Sequence, residues 1–476
     1  MKSIKAFLIA ILVIPALGLI LFGPRSEFQL PDNRIVVVDY WEKWTGDEAM
    51  QMQQIVDEFN NTVGKEKNIY VRYVSASSIT QKTLVATAAG VPPDIAGLWD
   101  RDMVQFASLD ALEPMDEMAA AHGITSATYK PVYWKACTYE GKLYGLISTP
   151  ADVALHYNKR AIRESAPALR AAGFDPDRLP ETIDELDAWA TILTKKDSNG
   201  RIQQAGYLPI EPGWYLAYTP LWFGGQIWDA KNEKFTLTDP KVVQAYQWIQ
   251  SYSHRLGKEA MTGFKSGLGN FDSPQNAFLA GTVVMEQQGP WMANYIYNLK
   301  PGLSTVKWPR EVEMTKPLAE RRENYEWGAA AFPSAVPGLK DVTYAGFDIL
   351  LIPRGAKYKK EAFEFIAYIN RQDVMEKLCK LHCKNSPLAN VSDDFLNNHP
   401  NPYINVFERL ANSPNAHGVP QIPIFAEVMQ ELDTLTQSIT QLRADPETGL
   451  AAAQVRLQAK YDQYMKRQRL RRATQR

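Results

Sequence analysis

Aromatic and acidic side chains cluster where the first extended segments of the sequence end. The stretch DYWEKWTGDE places Trp41, Glu42 and Trp44 directly after a run of β-branched residues, and Trp99 and Asp100 end the stretch VPPDIAGLWD. Flat aromatic rings have few torsions to freeze, and carboxylates accept strong hydrogen bonds. These residue types therefore suit the binding of a small molecule that has both apolar faces and hydroxyl groups.

Motifs of catalysis and metal binding are incomplete in this chain. The sequence has no GxSxG, HExxH or Walker-type loop, and GLGN is too short to hold a phosphate. The stretch CKLHC contains Cys379, His382 and Cys383 but lacks a fourth ligand at the usual spacing. We therefore expect a local disulfide or two free thiols there, and no catalytic residue, metal or cofactor.

The clustered residues lie in an alternation of strands and helices. The runs RIVVVDYW, NIYVRYVS and VPPDIAGLWD predict three strands. Between them, helical patterns predict one helix that opens with a capping-box pair, Thr45 and Glu48, and a second that is closed by Gly90. Such alternation predicts an α/β fold with a mainly parallel sheet, whose ligands bind beyond the carboxyl ends of the strands.

The middle of the chain has a more helical pattern. Thr182 and Glu185 have capping-box spacing at the start of one helix. Trp189 and Trp248 lie on helical faces, where we expect them to pack into a core. Further along, AGFDILLIPRGA predicts a buried strand and KKEAFEFIAYIN a helix.

Two charged segments are expected at the surface. Residues 300–326 are charged and interrupted by prolines, which predicts an exposed excursion between core elements. A helical pattern runs from Glu427 to Met465 and is followed by the basic segment 466–476, which we expect to be frayed and solvated.

Length and composition limit the class of protein. A chain of 476 residues exceeds what one core supports, so we expect two lobes. The 52 Lys and Arg residues nearly balance the 53 Asp and Glu residues, which gives no support for nucleic acid as a partner. Aromatic residues are abundant, with 12 Trp and 22 Tyr.

Residues 1–23 have the pattern of an export signal. Lys2 and Lys5 precede an apolar run from Ala6 to Phe22. No clear A-x-A cleavage site follows, and no cysteine is close enough for a lipobox. The segment is therefore either a cleaved signal peptide or an N-terminal membrane anchor.

Several motifs occur together in an order that resembles the extracellular solute-binding proteins of family 1, the sugar receptors of ABC importers. They are YWEKWTG, TAAGVPPDIAGL, GKLYGL, ALHYNKRAIRE with PETIDEL, FLAGTVVMEQQGPW, and AGFDILLIPRG with EAFEFIAYIN. Each motif is weak alone, and the shared order over residues 35–440 carries the resemblance. The segment 300–326 is long for a minimal member of this family.

The resemblance implies a two-lobed type II fold like that of periplasmic binding proteins, with a sugar held in the cleft between two α/β lobes. It further implies a monomeric receptor, periplasmic or extracellular, that delivers its ligand to a membrane permease. The expected segments are a signal or anchor (1–23), one lobe (33–150 and 328–372), the other lobe (151–327 and 373–465) and the basic tail (466–476).

The same resemblance implies a set of sugar-binding residues at the corresponding positions of this chain. A pyranose has apolar faces and a rim of hydroxyl groups, which aromatic rings and carboxylates or amides complement. The implied residues are Trp41, Glu42, Trp44, Gln81, Trp99, Asp100, Asp152, Glu211, Trp214, Trp291, Tyr344 and Asp348.

Two other functions remain compatible with the sequence. A secreted glycoside hydrolase also uses tryptophans and a pair of carboxylates, for which Glu42 and Glu211 are the candidates. A receptor of the same fold could instead bind a polyamine or another cation, since cations bind aromatic rings and carboxylates.

Overall fold

Two β-sheets organise the protein in the computed structural model, which describes residues 36–300, 303 and 310–474. The described strands are β1 (Val36–Glu42), β2 (Ile69–Ser75), β3 (Ile95–Trp99), β4 (Thr138–Tyr139), β5 (Lys142–Leu143), β6 (Gly145–Asp152), β7 (Ala154–Asn158), β8 (Lys195–Lys196), β9 (Ile202–Tyr207), β10 (Trp228–Asp229), β11 (Lys234–Phe235), β12 (Val283–Gln288), β13 (Trp327–Ala330), β14 (Thr343–Leu351) and β15 (Ala416–His417).

Helices cover the sheets and fill the connections. The described α-helices are α1 (Gly46–Asn61), α2 (Val63–Glu66), α3 (Ile79–Ala88), α4 (Asp100–Ser108), α5 (Asp116–Ala121), α6 (Pro131–Ala136), α7 (Lys159–Glu164), α8 (Ala166–Ala171), α9 (Ile183–Leu193), α10 (Pro240–Leu256), α11 (Lys258–Ser266), α12 (Met292–Leu299), α13 (Arg310–Glu313), α14 (Leu318–Asn324), α15 (Lys359–Ile369), α16 (Gln372–Leu381), α17 (Asp393–Asn397), α18 (Ile404–Ala411), α19 (Phe425–Thr440) and α20 (Pro446–Thr474). A 3₁₀ helix spans Leu216–Phe223.

The first sheet has the strand order β15–β14–β3–β1–β2, and β6 also pairs with β14. The three predicted N-terminal strands are confirmed: β1 runs parallel to both β2 and β3. β14 runs antiparallel to β3 and to β6. Because β1 and β3 are parallel neighbours, Glu42 and Trp99 lie at the same edge of the sheet.

The second sheet has the order β13–β7–β12–β9–β8. β12 pairs in parallel with β9 and antiparallel with β7. The carboxyl ends of β9 and β12 therefore point to one edge, from which the segments containing Trp214 and Trp291 begin.

Short crossovers connect the two sheets. β6 of the first sheet continues into β7 of the second through Val153 alone. The backbone N–H of Val153 donates to the carbonyl oxygen of Tyr344 at 3.1 Å and to Oγ1 of Thr343 at 3.0 Å. The return crossover at the start of β14 is thus bonded to the outgoing one, and we call this pair of crossovers the hinge.

Separate hydrophobic cores lie under the two sheets. The first core includes Val38 and Phe365, and the second includes Trp189 and Trp248, which are 1% and 8% exposed. The prediction that these two tryptophans are core residues is confirmed. The lobe bounds stay a prediction, and the first core continues from Val374 to Ala411, beyond the expected boundary at residue 372.

The two capping boxes have different outcomes. Thr182 caps α9: its Oγ1 accepts from the N–H of Glu185 at 3.1 Å, and the Glu185 carboxylate accepts from the N–H of Thr182 at 3.4 Å. The predicted box of Thr45 and Glu48 is wrong, because Thr45 makes no side-chain cap bond. The carboxylate of Glu48 instead pairs with Lys384 at 3.0 Å.

The segment 300–326 is not the fully exposed excursion that its composition predicted. Arg321 is fully buried and donates hydrogen bonds to the carbonyl oxygens of His399 at 2.9 Å and Asn397 at 3.0 Å. The neighbouring Arg322 donates to the carbonyl oxygen of Pro402 at 2.6 Å. The described part of the segment therefore packs against a later loop, because its arginines satisfy carbonyl groups there.

The C-terminal helical region is also divided differently than predicted. Two helices, α19 and α20, replace the single expected pattern, and the turn between them passes through Leu442, which has a φ of 54°. α20 continues to Thr474, so the basic segment expected to be frayed is helical through that residue, with Lys466 and Arg467 exposed.

The expected signal or anchor, residues 1–23, lies outside the described residues. Among the helices that the structure describes, none is both long and apolar enough to span a membrane.

Candidate functional site

A buried group of charges lies at the carboxyl end of β1. We call Glu42, Lys43, Glu48, Asp348 and Lys384 the ion cluster. Lys43 pairs with Glu42 at 3.2 Å and with Asp348 at 3.1 Å, and Lys384 pairs with Asp348 and with Glu48, both at 3.0 Å. The carboxylates predicted as ligand contacts, Glu42 and Asp348, are thus held by lysines of the protein itself.

Asp348 is the centre of the ion cluster. Burial alone would raise its pKa, but the charges of Lys384 and Lys43 outweigh burial and hold the pKa of this carboxyl well below its usual range. Thr149 Oγ1 also donates to Asp348, at 2.9 Å. Asp348 is therefore an anion whose partners lie within the fold.

Glu42 is enclosed in a similar way. It is fully buried and accepts hydrogen bonds from the Tyr40 hydroxyl, the Lys43 backbone at 2.7 Å and the Trp44 backbone at 3.4 Å. Its carboxylate lies against Gly97, where an added Cβ would come within 1.9 Å of Oε2. A side chain larger than hydrogen at position 97 would therefore displace it.

Three of the predicted tryptophans surround the two lysines. The Lys43 ammonium lies 4.8 Å from the ring centroid of Trp44 and 4.6 Å from that of Trp99. Lys384 lies 5.4 Å from the Trp44 ring and 5.8 Å from the Trp291 ring. At these distances the ammonium groups make cation–π contacts, which fix the rings relative to the ion cluster.

The two tryptophans that follow β1 have different surroundings. Trp44 is only 3% exposed, and its ring makes a T-shaped contact with that of His382, with centroids 4.7 Å apart. Trp41 is half-buried and packs against the first core. Of the predicted rings, Trp99 is 39% exposed and Trp214 is 46% exposed.

A hydrogen-bonded chain connects the first lobe to the hinge and the second lobe. The Tyr344 hydroxyl, in β14, donates to Asp100 at 2.6 Å and accepts from the Tyr218 hydroxyl at 3.2 Å. The rings of Tyr344 and Tyr218 stack with centroids 3.8 Å apart. Burial raises the pKa of Asp100 to about 6, although the bond from Tyr344 and the charge of Arg101 oppose the rise.

Asp152 lies at the end of β6, beside the crossover. It is fully buried and accepts from Asn385 Nδ2 at 2.6 Å and from the Tyr133 hydroxyl. Burial raises the pKa of Asp152 to about 7, and these hydrogen bonds offset only part of the rise. These partners anchor the carboxyl group inside the protein.

The second lobe contributes the other wall of the candidate site, in part from the segment after β9. We call Glu211, Trp214, Lys265 and Phe271 the second-lobe wall. The Glu211 carboxylate lies 3.8 Å from Lys265 Nζ, and its pKa is raised by burial. The Trp214 ring contacts that of Phe271 with centroids 4.7 Å apart. Its outer face remains open to solvent.

Two predicted residues, Trp291 and Gln81, remain to be placed. Trp291 is half-buried, with its ring folded over Gly289, where an added Cβ would come within 1.9 Å of it. Gln81 is exposed on α3. The sequence did not indicate four residues of the site: Lys43, Lys384, Tyr218 and Phe271. Of these, only Lys43 could have been found from the sequence, because it lies between the two tryptophans of the stretch DYWEKWTGDE.

The CKLHC stretch directly precedes Lys384 of the ion cluster. Cys379 and Cys383 are buried thiols, and Cys383 Sγ lies 3.2 Å from Asn294 Oδ1. Within the part of the chain that the structure describes, no group of three or more His, Cys, Asp or Glu side chains is placed to hold a metal ion.

Comparison with known proteins identifies relatives over most of the chain. A curated maltotriose-binding protein of Pyrococcus abyssi is 20% identical over 417 residues, which cover 87% of this chain and 75% of that protein. The structure of CpMnBP1 with mannotriose bound has a TM-score of 0.72 at 24% identity, covering 88% of this chain and 99% of that one. The sugar-binding protein MalE of Xanthomonas citri gives 0.70 at 19% identity, with coverages of 91% and 98%.

The structural similarities confirm the fold. Both compared structures align with nearly their whole length, so the two α/β lobes have the expected two-lobed type II arrangement. The model of the bacterial extracellular solute-binding protein family matches residues 54–394, which is more than half of the chain. The chain belongs to the bacterial extracellular solute-binding protein family.

Proposed function

We propose that this protein is the carbohydrate receptor of an ABC importer, which encloses a neutral oligosaccharide between its lobes. Its relatives include a maltotriose-binding protein and a protein with bound mannotriose. The sugar would contact both lobes only in the closed arrangement, so ligand binding favours closure.

The observation that carries this proposal is a pair of exposed tryptophans on different lobes. Trp99 ends β3 of the first sheet, and Trp214 follows β9 of the second; both rings are more than a third exposed. Tyr215, next to Trp214, has its ring centroid 6.4 Å from that of Tyr344, and Tyr344 bonds Asp100, next to Trp99. The two tryptophan rings therefore lie at the junction of the lobes, where the apolar faces of a sugar can stack on them.

The ion cluster weighs against a glycoside hydrolase. A hydrolase needs two carboxyl groups free to act on the scissile bond. Glu42, one of the two candidates, is fully buried, and its oxygens accept from Tyr40, Lys43 and Trp44. This arrangement supports a structural role for Glu42 and a binding function for the protein.

The same cluster weighs against a cationic ligand. A polyamine would seek tryptophan faces and unpaired carboxylates. Here the ammonium group of Lys43 already lies 4.6 Å from the Trp99 ring centroid, and Asp348 is paired with two lysines. A second ammonium group at this position would be repelled, which favours a neutral ligand.

Family membership implies export, and we further propose that the receptor acts as a monomer on the outer side of the membrane. Residues 1–23 would direct export and could also tether it there. After closure, both lobes would be presented to a membrane permease.

A binding experiment on the full chain tests the proposal. Isothermal titration with maltotriose, mannotriose and spermidine, together with an assay for release of reducing ends, covers the three candidate functions. We expect saturable binding of at least one neutral oligosaccharide, no binding of spermidine and no hydrolysis. Binding of spermidine with all sugars inert, or sustained release of reducing ends, would contradict the proposal.

A further inference from the structure

A cavity of about 530 Å³ lies between the lobes and shares Tyr218 with the hydrogen-bonded chain of the candidate sugar site. Its lining includes none of the predicted sugar-binding residues. We call it the hinge cavity because one side is the connecting segment from Ala411 to Gln421, which includes β15. Ligand sites in proteins commonly have volumes of about 300–1,000 Å³. The hinge cavity is thus large enough for a small organic molecule.

Both lobes contribute walls to the hinge cavity. Val132 and Ala136 come from α6, which packs against the first core, and Tyr218 and Leu221 come from the 3₁₀ helix of the second lobe. A molecule in the cavity would therefore contact both lobes and the segment that joins them. Apolar side chains such as Val132 and Leu221 give it an apolar interior.

The charges around the hinge cavity favour an anion. None of the lining residues is acidic, and all of them lie in the described part of the chain. Lys135 is exposed at the rim, and His417 is nearby: burial, and then the charge of Lys135, lower the pKa of His417. Lys135 is therefore the cation that a ligand would meet at neutral pH.

From these features we propose that the hinge cavity binds a small amphipathic anion, a molecule with an apolar ring system and one carboxylate or sulfonate. The anionic group pairs with Lys135, and the rings lie against Val132 and Leu221. This site goes beyond the proposed sugar-receptor function and does not depend on it.

Occupancy of the hinge cavity has a consequence that does rest on the proposed function. His417 is the strand partner of Tyr344, whose hydroxyl bonds Asp100 beside the exposed Trp99. An anion that holds both lobes in one arrangement would change the sugar affinity. By thermodynamic reciprocity, saturating sugar would change the affinity of the anion by the same factor.

The probe 1-anilinonaphthalene-8-sulfonate tests the site, because it has an apolar ring system and one sulfonate. Fluorescence titration of the full chain should show saturable binding to one site. Lys135→Glu should weaken binding about tenfold or more, since a charged hydrogen bond is replaced by repulsion. Leu221→Trp should also weaken it, by filling the cavity.

Lys142→Glu is the matched control, because Lys142 is an exposed lysine on β5 outside the cavity. Its probe affinity should equal that of the wild type, and the melting temperatures of all variants should show that they fold. Probe binding that does not saturate, that is unchanged in Lys135→Glu and Leu221→Trp, or that falls equally in Lys142→Glu would overturn the proposal.

Discussion

The two walls of the cleft differ in how their charged groups are buried and paired. At the first lobe, the carboxylates of the ion cluster are buried and paired, as Asp348 is with Lys43 and Lys384. At the second-lobe wall, Glu211 has one distant ion pair, at 3.8 Å, and Trp214 is 46% exposed. The first wall is fixed before a ligand arrives, whereas the second wall has groups that a ligand can still engage.

This difference separates stability from binding. Charges that are buried together depend on each other, because removing one partner leaves the other unpaired in a low-dielectric interior. Exposed charges and rings contribute little to folding but are available for a ligand. We therefore expect substitutions in the ion cluster to act mainly on stability, and substitutions in the second-lobe wall to act mainly on sugar affinity.

The largest expected effect is the difference in stability between two variants, one that loses a lysine of the ion cluster and one that loses a lysine of the second-lobe wall. Lys384→Met leaves Asp348 and Glu48 without a shared cation, so we expect a loss of about 3–5 kcal/mol in the free energy of unfolding. Lys265→Met, in the second-lobe wall, should cost less than about 1 kcal/mol because its side chain is 43% exposed. Urea denaturation of both variants measures the difference. Equal losses in the free energy of unfolding would contradict the distinction between the two walls.

The pH dependence of stability provides the next test. Burial raises the pKa of Asp152 to about 7, so the folded chain retains a proton that the unfolded chain loses above about pH 4. The free energy of unfolding therefore falls as pH rises from about 4 to about 7, by up to a few kcal/mol.

Asp152→Asn keeps a neutral side chain at every pH and should remove this part of the slope. Melting temperatures of the wild type and the variant, at about pH 4.5 and about pH 7.5, check the expectation. A variant with the same change in melting temperature as the wild type would show that Asp152 titrates normally.

A smaller effect is expected from the carboxylate of the second-lobe wall. Glu211→Gln should weaken binding of the oligosaccharide by about 10- to 100-fold, the value of a hydrogen bond to a charged group. Its free energy of unfolding should not fall, because burial disfavours the charged carboxylate that the amide replaces. Titration calorimetry and urea denaturation separate the two quantities, and a stability loss without an affinity loss would contradict the assignment.

The smallest effect is expected at Gln81. This side chain is exposed on α3. Gln81→Ala should reduce sugar affinity by no more than about tenfold, the upper value of one neutral hydrogen bond. A larger loss in the same titration would place α3 in the binding wall of the first lobe.

Local patterns were sufficient to predict much of the fold. The alternation in RIVVVDYW and the capping residues of α9 act through neighbours in sequence, and β1 and α9 form where these patterns predict. The predicted box at Thr45 failed because Glu48 has a stronger partner, Lys384, which is far away in sequence. Local preference lost there to a tertiary ion pair.

The surroundings of the candidate site could not be predicted for the same reason. Trp44 lies close to Trp41 in the sequence, but it is buried, and the His382 ring that contacts it comes from a distant segment. Nothing in the spacing of Lys43, Asp348 and Lys384 shows that they meet. The sequence indicated which residue types lie at the strand ends, and only the fold shows which of them remain exposed.

Calorimetric titration of two tryptophan variants tests the central claim that exposed rings from the two lobes hold the sugar. Trp99→Ala and Trp214→Ala should each weaken binding of the oligosaccharide by about 30-fold or more, as hot-spot rings do. Tyr144→Ala, which removes a half-buried ring outside the site, should leave the affinity unchanged. Wild-type affinity in both tryptophan variants, with all three proteins folded, would contradict the account.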